Sequence, residues 1–87
     1  MKIKEGFMLW QVGAQTIVVA VGSASRDFNG IIRLNQLGKF LWEALSEGCE
    51  ENDLVMKILN TYDIDEATAK ADVSEFIRKL KGADLIA

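Results

Sequence analysis

Cys49 is the residue with the most obvious capacity for chemistry, since it follows Gly48 at a helix junction where free amide groups could lower a thiol pKa. A thiolate mechanism also needs a proton acceptor. The sequence contains no histidine, and nothing near Cys49 looks like a base, so a loop or half-buried thiol without a reaction fits better. One thiol and no histidine cannot build a structural zinc site, and a single cysteine excludes an internal disulfide framework. The run Glu50-Glu51-Asn52-Asp53 offers oxygen ligands, but around a helix turn they diverge, as at a solvated helix start. The glycines are scattered and form no phosphate-cradling loop, so no cofactor is assigned. Trp10 and Trp42 could stack on a ligand, yet both fall inside apolar patterns, where packing is the simpler role. The chain is therefore read as a non-enzyme with no catalytic residue and no metal site.

What remains is binding, and composition narrows it. The 87 residues make one domain, 1–87, because a second core could not be built from what the first leaves over. Nearly half are hydrophobic (49%) and 26% are charged, which is the balance of a folded chain and not of a disordered one. A formal charge of -3 has the wrong sign for a protein that neutralises phosphates, so nucleic acid is not expected as a partner. The N-terminus lacks an apolar signal core and no stretch approaches the ~18 apolar residues of a membrane span. A cytoplasmic protein is expected.

Strands precede helices along the chain. Phe7 to Val12 and Thr16 to Val21 are rich in β-branched and bulky apolar residues, with Gly13-Ala14-Gln15 as the turn of a hairpin. Ile17, Val19 and Val21 fall on one face of the second strand, and Thr16, Val18 and Ala20 on the other, so each face should be covered at least in part. After the small, polar segment Gly22 to Gly30, a short third strand runs from Gly30 to Leu34. Ile32 and Leu34 are its core candidates, with Ile31 and Arg33 on the opposite face. Asn35 can cap a helix that ends at Gly48 and buries Leu37, Leu41, Ala44 and Leu45. A second helix spans roughly Glu50 to Thr61, and a third starts after Asp63 or Asp65 and continues to about Lys81. The expected fold is α+β, a three-stranded antiparallel sheet followed by three helices in a winged-helix-like arrangement.

Ala69, Val73, Phe76 and Leu80 form the expected core stripe of the third helix. A neighbouring stripe of Lys70, Ser74, Ile77 and Lys81, flanked by Ala67, Ala71 and Arg78, combines small and basic residues as a groove wall for another chain would. On that reading Ile77 can be changed without unfolding the protein.

Several segments in order carry a resemblance: Gly30-Ile31-Ile32-Arg33-Leu34-Asn35, then Gly38 and Phe40-Leu41-Trp42-Glu43, then Gly48 and Leu54-Val55. Leu59, Tyr62-Asp63-Ile64-Asp65-Glu66, Asp72-Val73, Phe76-Ile77 and Leu80 complete it. The sequence resembles the PqqD family, or RiPP recognition elements (RiPP: ribosomally synthesised, post-translationally modified peptide). The resemblance covers nearly the whole chain. It departs at Ala83-Asp84-Leu85-Ile86, where a glycine before the terminal apolar pair is commoner.

The resemblance implies a domain that binds the leader of a precursor peptide as an added strand beside the third strand, in a cleft walled by the third helix. The implied partners are the precursor peptide and a radical SAM maturase, in pyrroloquinoline quinone synthesis or a related pathway. The implied contacts are Gly30, Ile31, Ile32, Arg33 and Leu34 for strand pairing, and Lys70, Ala71, Ser74, Ile77, Arg78 and Lys81 for the wall. An exposed strand edge does leave unpaired amides and carbonyls that a peptide can satisfy. A winged-helix DNA-binding protein is the main alternative, opposed by Asp72 and Glu75, which interrupt the basic residues of the third helix. A scaffold that never touches the substrate is another. Oligomeric state stays open, since the Gly22 to Gly30 segment could act as a hinge for strand exchange into a homodimer.

Overall fold

A computed structural model describes residues 1–22 and 32–86. Three strands, β1 (Phe7–Val12), β2 (Gln15–Ala20) and β3 (Ile32–Leu34), precede three helices, α1 (Gln36–Glu47), α2 (Glu51–Thr61) and α3 (Glu66–Gly82). The sheet is antiparallel in the order β1-β2-β3. Val12 pairs with Gln15, so the hairpin loop is Gly13-Ala14 alone, one residue shorter than the sequence suggests. Gly13 takes φ +62°, the left-handed conformation that a hairpin with glycine at its first loop position requires. Gly30 and Ile31 lie outside the described residues, as does the proposed hinge apart from Gly22.

Register sorts the sheet into two unlike faces. Phe7, Leu9, Thr16, Val18, Ala20, Ile32 and Leu34 share the inner face, and Val18 is fully buried in a core with Leu41, Leu45, Leu54, Ile58, Val73 and Leu80 from the helices. Thr16 is buried with them, and its hydroxyl donates to Gln11 Oε1 at 2.9 Å, so the polar group is not stranded. The outer face is different. Met8, Trp10 and Val12 are exposed, and the covering expected for that face is absent among the described residues. Trp10 is therefore not a packing residue, whereas Trp42 is, at 3% exposure.

Each helix starts where its sequence supplies an acceptor. Asn35 Oδ1 accepts from the Gly38 amide at 2.7 Å. At α2 the Glu50 amide donates to Asp53 Oδ2 at 3.0 Å, so the acidic run serves the helix start and not a cation. Asp65 caps α3, its Oδ1 accepting from the Thr68 amide at 3.3 Å. The Thr68 side chain adds a hydrogen bond that holds the Asp65 carboxyl below the usual carboxylate range. α1 closes at Gly48, with φ +90°. Phe40 and Tyr62 lock α1 to the end of α2 edge to face, ring centroids 5.5 Å apart.

The segment before β1 meets the one after α3. Ile3 bridges Ile86, the Lys4 amide donates to the Leu85 carbonyl at 2.8 Å, and Lys4 Nζ lies 2.7 Å from Asp84 Oδ1. Asp84 turns the chain into that bridge with φ +61°, at the position where a glycine is expected in the resemblance. An L-residue held left-handed costs roughly 1–2 kcal/mol, least for Asn and Asp, whose short polar side chains tolerate the region. The ion pair is exposed and contributes little. Asp84→Val should therefore lose about 1–2 kcal/mol in urea denaturation, while Asp84→Gly stays closer to the parent; equal losses would mean that side-chain contacts, not backbone conformation, govern this turn.

Candidate functional site

β3 is an edge strand, and among the described residues no strand pairs with its outer side. Two residues after pairing with β2 ends, the chain is already helical, because Asn35 caps α1 immediately after Leu34. α1 then leaves at close quarters. A Cβ on Gly38 would come within 3.3 Å of Leu34 Cβ and 3.2 Å of Asn35 Oδ1, tighter than ordinary side-chain packing, so glycine is what lets this turn sit against the strand. α3 packs chiefly on α2, and it leaves a gap along β3.

That gap is a groove of about 450 Å³. Leu34, Leu37, Leu41 and Phe76 give it apolar surface, Arg33 and Lys79 stand on it as cations, and Asp72 and Glu75 as anions. The four α3 residues follow one stripe at spacings of three, one and three. Phe76 is half-buried, with its ring packed on the core and still reachable from the groove. A smaller hollow of about 370 Å³ lies between α1 and α2, bordered by Lys39, Phe40, Glu43, Glu47, Lys57 and Tyr62, and it touches no strand.

The structure corrects the expected groove wall. Ile77 is 3% exposed and belongs to the core with Ala69, Val73 and Leu80, so Phe76 and Ile77 exchange the roles that helical periodicity gave them. Lys70, Ala71, Ser74, Arg78 and Lys81 are all exposed, but they run along the flank of α3 away from the groove, and none of them lines it. Lys70 is engaged by Glu66 at 3.1 Å, an i,i+4 pair at the solvent surface. A helix shows its buried stripe in its sequence; which flank of that stripe faces the sheet edge depends on the direction in which the helix crosses the layer below. Of the expected strand-pairing residues, Ile32 and Leu34 turn inward, half-buried, and Arg33 is exposed, as their alternation requires. Gly30 and Ile31 lie outside the described residues.

Cys49 lies apart from the groove. Burial pushes the Cys49 thiol above its ordinary pKa, and Asp53 adds to the effect. Its Sγ lies 3.7 Å from the Ala44 carbonyl, to which the protonated thiol can donate. The depressed pKa that a helix junction could have produced is not found. Among the described residues no three His, Cys, Asp or Glu side chains cluster as a metal site would need, and no helix is long and apolar enough to cross a membrane.

Comparison with known proteins bears on this geometry. Residues 15–86 match the model of the family described as coenzyme PQQ synthesis protein D (PqqD). No curated protein matches the chain. Among solved structures, TbiB1 in complex with the TbiA(beta) leader peptide superposes with a TM-score of 0.76 at 22% identity, covering 98% of this chain and 93% of that one. Lasso peptide synthetase B1, complexed with the leader peptide, gives a TM-score of 0.74 at 15% identity, with 93% and 89% covered. At such identities the likeness establishes the fold.

The exchange of Phe76 and Ile77 separates stability from surface. Ile77→Asp places a charge among fully buried apolar side chains and should abolish the cooperative thermal transition, since an unpaired buried carboxylate costs several kcal/mol. Phe76→Asp should still melt cooperatively, at a lower temperature. The reverse ranking by circular dichroism would return Ile77 to the groove.

Proposed function

The chain belongs to the PqqD family, and on that footing we propose that it is a non-catalytic binding domain for the leader segment of a ribosomally made precursor peptide. The observation that carries the reading is the conjunction of an open β3 edge with a groove beside it. Two solved structures that share the fold hold leader peptides. A leader entering here would pair with β3 and thread between that strand and the Asp72, Glu75, Phe76, Lys79 stripe of α3.

Magnitudes decide which contacts matter. A three-residue edge offers about two or three backbone hydrogen bonds, each worth ~0.5–1.5 kcal/mol net. Ordering a disordered segment costs about 2–5 kcal/mol. Strand pairing alone therefore comes close to cancelling. One apolar leader side chain seated on Leu34, Leu37 and Phe76 adds roughly 1.5–3 kcal/mol, enough to make the complex form. The charges flanking that seat are of both signs, so they select by position along the leader and not by its net charge.

The family resemblance supports a radical SAM maturase as the enzyme that receives the leader, with the domain as presenter and not as catalyst. It also supports a cytoplasmic setting. Nothing in the geometry favours DNA, given a net charge of -3 and carboxylates on the groove stripe of α3.

Titration with the N-terminal segment of a precursor peptide encoded beside this chain is the test. Amide shifts should concentrate at Ile32 to Leu34 and at Asp72 to Lys79, and Phe76→Asp should weaken binding at least ten-fold. Lys70→Ala and Arg78→Ala on the far flank should change it less than two-fold. Unperturbed spectra at millimolar peptide would reject the proposal, and shifts confined to the far flank would reject the placement.

A further inference from the structure

The outer face of the sheet is largely apolar, and among the described residues no helix or strand packs on it. Cross-strand register sets Met8 beside Val19, Trp10 beside Ile17, and Val12 beside Gln15, with Val21 continuing the row beyond β2. Exposures of 62% at Trp10, 57% at Val12, 51% at Met8 and 41% at Val21 leave roughly 400 Å² of contiguous apolar side chain in water, within the range of patches that mark interaction sites. Strand β1 carries no charged residue at all, so this face lacks the usual protection against association.

The single charge on the face, among the described residues, identifies the occupant. Arg33 pairs with Ile17, and Ile17 pairs with Trp10, so Arg33 and Trp10 stand at opposite ends of one cross-strand row. None of the ion pairs among the described residues involves Arg33. A two-fold axis running along β2 between two such faces would lay β1 of each copy over β3 of the other. It would set Ile17 against its own equivalent and bring each Trp10 ring over the partner's Arg33 guanidinium, making the pairing twice. Two twisted three-stranded sheets stack in this way at a separation of about 10 Å.

We infer that the outer sheet face is a self-association surface, on which a second copy of this chain packs face to face with Trp10 of each copy over Arg33 of the other. The area sets the strength. A stable dimer commonly buries about 800 Å² per partner. An apolar centre half that size, with a polar rim, belongs to a weak and reversible pair. The surface shares only Arg33 with the groove, and pairing leaves the outer edge of β3 uncovered.

Sedimentation equilibrium of the intact chain without peptide, from about 1 to 500 µM, tests the inference, with Trp emission as a second readout. Mass should rise towards that of a dimer and emission should shift to the blue with concentration, since Trp42 is already buried and only Trp10 changes surroundings. Trp10→Lys, at a site exposed enough for the fold to survive the change, should weaken the pair more than ten-fold. Arg33→Glu should weaken it several-fold. Met56→Lys, at an exposed apolar residue of α2, should leave it unchanged. A monomer throughout would overturn the inference and leave the face to a different protein. A dimer indifferent to Arg33→Glu would overturn it too, because an edge-to-edge pair through β1 keeps Arg33 remote.

Discussion

The close seating of the first turn of α1 on β3 is the contact from which the arrangement follows. Leu34 ends the strand, Asn35 caps the helix, and Gly38 supplies the missing Cβ without which that turn would be pushed off Leu34. With α1 turned away so early, β3 ends at Leu34, and among the described residues no strand pairs with its outer edge. α3 packs chiefly on α2, and its Asp72, Glu75, Phe76 and Lys79 border the groove beside β3. A sheet edge and a helix flank thereby border one groove of about 450 Å³.

Much of this is written in the sequence because it rests on local signals. Asn35 before an apolar helical pattern, Gly48 after it, and the alternation of Ile32, Arg33 and Leu34 each depend on neighbours within a few residues, and the structure follows them. The α3 site does not. Phe76 and Ile77 are adjacent, both apolar, and both adjoin the stripe formed by Ala69, Val73 and Leu80, so periodicity cannot choose between them. The choice is made by how α3 leans on α2, a tertiary quantity. The small and basic flank of Lys70, Ser74, Arg78 and Lys81 looked suited to a peptide for the same reason: one flank of a buried stripe is indistinguishable from the other until the helix is docked. Trp10 was hidden by a related ambiguity, since alternation in β1 and β2 is nearly as apolar on the outer face as on the inner one.

The two faces of the sheet thus divide two kinds of work. The inner face spends its apolar area on the core, where Val18 is sealed beneath three helices. The outer face keeps a comparable set of side chains in water, a cost that a small domain with a limited core tolerates only weakly. The groove lies at the seam between them, and Arg33 belongs to both the groove lining and the outer row. Events on one surface are therefore within one side chain of the other.

The Ile3 to Ile86 bridge has a bearing on architecture at a larger scale. Because the backbone enters and leaves the domain side by side, a chain could be spliced into a loop of another protein at this point with little disturbance to its host. None of the groove-lining residues comes from either strand of that bridge. A fold of this form is suited to being transplanted as a cassette, carrying its groove unaltered from one polypeptide context to the next.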